Sequence, residues 1–279
     1  MDSPSFTAAD LALFRDLDKA CKQLDLTPCL IGAGAIRLTA ELHWGLRPAR
    51  MTKDWDFVVR VETWAQFYSL TDRLIRAGGG FAKAAEPHRF LHQAGGTLDV
   101  VPYGELENPK GTIQWGDDCS METSGLHVLD QQYEEQLIEG EALRVASLPA
   151  LVGLKLLAYA ARRPGIIRDI QDVLEVLQMS ERSMDEEHVG QEAIERLQAG
   201  DVSYSEICSY LIGKEVGSIF ADEQCQIMLA LLDGVKEPVD RILVDALGQA
   251  AFCREPGDSA EETLRAVCLG IRDGSDARS

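Results

Sequence analysis

At Ser147 the hydrophobic pattern of the chain changes period, and that change decides what the chain can fold into. Before it, short apolar runs alternate with helical spacing. "PCLIGAGAIRLTAEL" is an apolar strand, a glycine turn and the start of a helix. "WDFVVRV" is a strand, and "TWAQFYSLTDRLIRAGG" is a helix with a glycine stop. "HRFLHQ" and "TLDVVPYG" read as two strands joined by a turn at "AGG". Upstream, Leu11, Leu13, Phe14, Leu17, Ala20, Cys21 and Leu24 mark a helix over residues 8–26. After Ser147 only helical spacing remains. "SLPALVGLKLLAYAARR" carries a serine cap and a proline in its first turn. "GIIRDIQDVLEVLQM" is a second helix, and helical patterns run on to about Arg272 with breaks near Ser180, Gly200, Gly234 and Gly257. Residues 108–136 are mixed and loop-rich, and the tail "RDGSDARS" reads as mobile. The expectation is an α/β (α+β) domain over residues 1–147 and an all-helical domain over 148–279.

Charge and cysteine usage narrow the function classes. The 279-residue chain carries 46 acidic against 27 basic residues, a net charge of −19. From Glu181 to Ser279 there are 21 acidic and 9 basic residues, which argues against a broad nucleic-acid surface in the last third. No apolar run is long enough to span a bilayer, and "MDSPSFTAAD" lacks the features of a secretory signal. Seven scattered cysteines without a C-x-x-C pair fit reduced thiols in a cytoplasmic protein. The five histidines show no metal-binding spacing.

Chemistry concentrates at "RMTKDWDFVV", where Asp54 and Asp56 stand one residue apart at the start of a strand. Residues i and i+2 of a strand share a face. The two carboxylates would project together, with Trp55 and Phe57 opposite. Adjacent carboxylates repel, and a hard divalent cation removes that penalty; Mg²⁺ is commonly held by one or two carboxylates plus substrate phosphates. Taken alone, the pair reads more simply as a polar strand entrance. Three further features bear on it. Gly32-Ala33-Gly34 form a strand-to-helix turn of the kind that brings backbone N–H groups to an anion, although such turns are common. Asp99 interrupts the apolar strand "TLDVVPYG", where a lone carboxylate is costly unless paired or metal-bound; a strand-end aspartate bonded to a loop is its plainer reading. Arg47, Arg50 and Lys53 precede the pair, and Lys155 shares a helix face with Leu151 and Leu154. Lys155 could reach phosphate oxygens, or it could simply snorkel.

Together these residues resemble the polymerase-beta type of nucleotidyltransferase fold. They run as Gly32-Ala33-Gly34-Ala35, then Arg50-Met51-Thr52-Lys53-Asp54-Trp55-Asp56, then Leu98-Asp99-Val100-Val101-Pro102. The segment "VASLPALVGLKLLAYAARRPGIIRDIQDVLEVL" is similar to the corresponding region of AbiEii-like nucleotidyltransferases, which include type IV toxin–antitoxin toxins. The resemblance covers residues 28–177. It implies a mixed β-sheet flanked by helices, with helices over 148–177 contributing to the active site. It implies an enzyme that moves an NMP from an NTP to an acceptor hydroxyl, with Mg²⁺ held by Asp54, Asp56 and Asp99. Those three are also the catalytic candidates. Gly32, Ala33, Gly34, Arg50, Thr52, Lys155 and Asp169 are the nucleotide-site candidates it implies. Ala33 stands where the family commonly has Gly or Ser, and Arg168 where relatives often have Lys. The acceptor could be RNA, a protein or a small cationic molecule, as in aminoglycoside nucleotidyltransferases. An antitoxin is an implied partner, and a non-catalytic NTP-binding or partner-binding module is the rival class.

Overall fold

The structure is a computed structural model that describes residues 6–46, 54–116, 119–162, 167–182, 191–233 and 260–278. The chain divides into two compact units, Met1–Leu42 with Arg50–Ser147 and His43–Ala49 with Leu148–Ser279.

The first unit is built on a seven-stranded mixed sheet. In chain order its strands are β1 (Pro28–Ile31), β2 (Asp54–Val61), β3 (Phe81–Lys83), β4 (Arg89–His92), β5 (Thr97–Gly104), β8 (Tyr133–Ile138) and β9 (Glu141–Ala146). The sheet order is β3-β4-β5-β2-β1-β9-β8. The β2–β5 and β1–β9 pairs are parallel, and the others are antiparallel. Strands β6 (Thr112–Trp115) and β7 (Cys119–Glu122) form a separate hairpin. Helices α1 (Ala8–Lys22), α2 (Gly32–Thr39) and α3 (Trp64–Ile75) belong to this unit.

Packing around Trp55 fixes which way β2 faces. Trp55 is 1% exposed, and its ring lies 4.7 Å from Phe14 of α1, edge to face. Its indole Nε1 donates to Asp10 Oδ1 at 2.8 Å. The other Asp10 oxygen accepts from the backbone N–H of Thr7, completing the capping box that starts α1. Gly34 lets α2 lie against the same ring, since a Cβ there would fall 2.7 Å from Trp55. Fully burying Trp55 and Phe57 is worth about 1.5–3 kcal/mol each. A one-residue slip would forfeit both, so Asp54 and Asp56 are held on the opposite face.

The second unit consists of α4 (Leu148–Arg162), α5 (Arg168–Arg182), α6 (Gln191–Ala199), α7 (Ile207–Ile219), α8 (Asp222–Asp233) and α9 (Ala260–Asp276). Helices α7 and α9 meet through glycines: Gly213 and Gly217 on one, Gly270 and Gly274 on the other. A Cβ at any of the four would come within 3.0 Å of the partner helix's backbone, so the two backbones are in direct contact. At one end, Tyr210 Oη of α7 donates to Asp273 of α9 at 2.8 Å, and Arg196 of α6 forks onto the same carboxylate.

Two expectations change. The tail expected to be mobile is helical to Asp276, because Gly274 seats it against α7. Residues 108–136 hold a hairpin, a short 3₁₀ turn and the start of an edge strand. The expected breaks at Gly234 and Gly257 lie outside the described residues.

Candidate active site

The register of the sheet brings the acids together. Asp56 of β2 is the direct partner of Asp99 in β5, and Asp99 is the partner of Arg89 in β4. On the other side, Asp56 pairs with Ile31, the last residue of β1. One row across four strands therefore reads Arg89, Asp99, Asp56, Ile31, with strands about 4.8 Å apart. Asp54 sits on the same face as Asp56, about 6.6 Å along β2.

Each member of the row has a different environment. The Asp99 residue is 7% exposed, yet it lies in an apolar strand without penalty because Arg89 answers it. Arg89 Nε donates to Asp99 Oδ1 at 2.8 Å and Nη2 to Oδ2 at 2.7 Å. The same Nη2 is 3.9 Å from Asp54 Oδ2, whose side chain is 48% exposed. The hydrogen bond to Asp99 drives the Arg89 guanidinium pKa upward; burial opposes this, and the charges of Asp99 and Asp54 add to the rise. Burial lowers the pKa of neighbouring His88, with the Asp99 charge working against it and Arg89 with it. The His88 Nδ1 atom is buried without a hydrogen-bond partner.

The glycine turn closes on Asp56. Gly32 has φ +70°, which favours glycine, and a Cβ on it would stand 2.5 Å from Asp56 Oδ2. Gly32, Ala33 and Gly34 form the first turn of α2, so its unsatisfied N–H groups and positive end lie beside this carboxylate. Asp54 and Asp56 thus offer hard oxygen donors, partly open to solvent, of the kind Mg²⁺ takes. Among the described residues, no group of three or more His, Cys, Asp or Glu side chains is gathered as a metal site. The expected three-carboxylate cluster is not closed because Asp99 gives both oxygens to Arg89.

Of the other candidates, Arg50 and Thr52 lie outside the described residues. Lys155 and Asp169 meet inside the second unit. Lys155 Nζ donates to Asp169 Oδ1 and Asp172 Oδ2, both at 2.8 Å, and Arg162 reaches Asp169 at 3.2 Å. Lys155 is therefore a paired cation rather than a snorkelling one. Burial works to lower its pKa, but Asp172 and Asp169 outweigh that and leave it raised. Replacing it with Met would take the shared cation from two buried carboxylates, with Arg162 still on Asp169, and is expected to remove about 3 kcal/mol of stability, readable by urea denaturation at neutral pH. Because the folded pKa is raised above 10.5, the lysine's contribution is fully present at neutral pH and fades only as pH climbs through that raised value. A loss under about 1 kcal/mol, as at a surface pair, would contradict this role.

Sequence reading missed Arg89 and Asp172. Both were signalled. Counting back through the "HQAGG" turn pairs residue 89 with 99, and Asp172 follows Asp169 at i+3 on one helix face.

Among the described residues no helix is long and apolar enough to cross a membrane. The fold is similar to solved structures at low identity. The antibiotic-resistance factor ANT(2'')-Ia is 17% identical, covering 70% of this chain and 92% of that one, with a TM-score of 0.39. An antigenic nucleotidyltransferase-like protein from Paracoccidioides brasiliensis is 16% identical, covering 62% and 77%, with a TM-score of 0.40. JHP933 from Helicobacter pylori is 14% identical, covering 98% and 94%, with a TM-score of 0.34. No curated protein matches the chain. The family model described as nucleotidyl transferase AbiEii toxin, type IV toxin–antitoxin system, matches residues 39–238, and the chain belongs to that family of nucleotidyltransferases.

Proposed function

We propose that the enzyme transfers an NMP from an NTP to an acceptor hydroxyl and releases pyrophosphate, with Asp54 and Asp56 holding Mg²⁺. The observation that carries this reading is the row in which Asp56 pairs with Asp99 while a glycine at positive φ packs on the Asp56 carboxylate. When bound, the cation supplies charge neutralisation for the triphosphate and a more acidic acceptor hydroxyl. The chain's own residues do the rest. Backbone N–H groups of the first turn of α2 face the anionic phosphates. Asp99, aimed by the Arg89 fork, takes the acceptor's proton as its oxygen bonds to the α-phosphorus. The bond from that phosphorus to the pyrophosphate oxygen breaks, and pyrophosphate leaves with the electron pair.

A net charge of −19 favours a cationic or protein acceptor over RNA. Family membership supports a toxin role with an antitoxin partner. Six described cysteines are free thiols, which supports a cytoplasmic setting. The test is incubation with Mg²⁺ and α-labelled NTPs, with and without cell extract. Label on RNA, on protein or on a small molecule names the acceptor class. Tight NTP binding with no label transferred would overturn the transfer reading in favour of a binding module.

A further inference from the structure

We propose that Arg89 is a resident cation of the carboxylate row, one that a divalent metal displaces from Asp54 while Arg89 keeps its hold on Asp99. The inference rests on the Mg²⁺-dependent reading above. Its basis is the unequal grip of one guanidinium on two acids. With Asp99 it makes two hydrogen bonds at 2.8 and 2.7 Å, to a side chain only 10% exposed. With Asp54 it stands at 3.9 Å from an oxygen of a side chain 48% exposed. The first contact is a planar fork that fixes the orientation of Asp99. The second is longer than a hydrogen bond and held by charge alone, so it yields readily.

Two consequences follow. Arg89 weakens metal binding by competing at Asp54, and its charge, which a lysine would keep, holds Asp99 away from the metal. Arg89 is thus a positioning residue: it acts through Asp99 and Asp54.

The test is direct Mn²⁺ binding, read from the electron paramagnetic resonance signal of free Mn²⁺, on the full chain and on Arg89→Gln and Arg89→Lys. Arg89→Gln is expected to bind Mn²⁺ about tenfold more tightly, since a unit charge a few ångströms away is lost. Arg89→Lys keeps the charge without the fork and should stay within about twofold of the parent. Asp54→Asn in each background controls the location. Equal or weaker Mn²⁺ binding by Arg89→Gln, or equal gains in both Arg89 variants, would overturn the proposal. Mn²⁺ binding that ignores Asp54→Asn in every background would instead sink the metal reading on which it rests. If Arg89→Gln does not fold, the Arg89→Lys protein still decides. Loss of the fork alone then leaves affinity near the parent's, whereas a tenfold change in either direction overturns the charge argument.

Discussion

Asp54→Asn and Asp56→Asn should each lower NMP transfer by about 10³-fold or more, some 4 kcal/mol of transition-state stabilisation, with the fold intact. Both side chains leave the sheet on the face opposite Trp55 and Phe57, so losing a carboxylate charge there disturbs no core packing. Asparagine keeps the shape and one acceptor oxygen but not the charge that holds a hard cation. Label transfer from α-labelled NTP measures the loss, and thermal unfolding checks the fold. Transfer within tenfold of the parent in either variant would mean that the pair does not hold the catalytic metal. Asp99→Asn is a different case. It leaves Arg89 facing a neutral partner, so its readout combines lost proton acceptance with a freed guanidinium.

A further large stability effect is expected in the second unit, where α7 meets α9. Gly270→Ala and Gly274→Ala each push a methyl group into the backbone of α7, near Tyr210 and Lys214 respectively. A backbone cannot swing aside as a side chain can. Overpacking at the upper end, about 3 kcal/mol, outweighs the roughly 1 kcal/mol of helix propensity gained by replacing glycine. The unfolding midpoint of this unit should drop by several degrees per substitution, at about 2–4 °C per kcal/mol lost. A matched alanine at Gly45, where a Cβ would meet nothing, tests a positive-φ glycine without crowding and should cost less. Unchanged midpoints for Gly270→Ala and Gly274→Ala would show that α7 and α9 do not touch.

Much of this architecture was legible because local pattern and tertiary packing agree. The alternation of Asp54, Trp55, Asp56 and Phe57 already assigns the faces of β2, and burial of Trp55 and Phe57 enforces the assignment. That Asp99 would join the pair from a neighbouring strand was suggested by its cost in an apolar run and strengthened by the resemblance, but the direct partnership with Asp56 was not legible, because no local rule sets the register of two strands separated by a helix and a hairpin. Strands β8 and β9 escaped for another reason. The run "YEEQLIEGEALRVA" is rich in glutamate, a poor strand former, and Leu137 is 74% exposed, so it resembles a loop. The signal present was the Glu139-Gly140 turn, both residues at positive φ, which closes a two-residue hairpin between Ile138 and Glu141. The glycine contact between α7 and α9 was equally present in the spacing Gly213-Gly217 and Gly270-Gly274. Nothing local, however, says that these two distant pairs face one another. Arg89 was hidden by its company: within "HRFLH" the apolar residues draw attention, while the fork onto Asp99 rests on its one charged residue.

Asp10 joins the beginning of α1 to the indole of Trp55, which lies between the two acids in sequence and behind them in space. The first helix and β2 therefore share one molecular rivet. A cation or nucleotide that engages Asp54 or Asp56 acts beside a ring clasped by that rivet, so a shift in Trp55 emission on adding Mn²⁺ or NTP, read against the signal of Trp44, Trp64 and Trp115, is the expected result. Undoing the rivet with Asp10→Ala would blunt that shift while leaving every carboxylate in the row chemically unchanged.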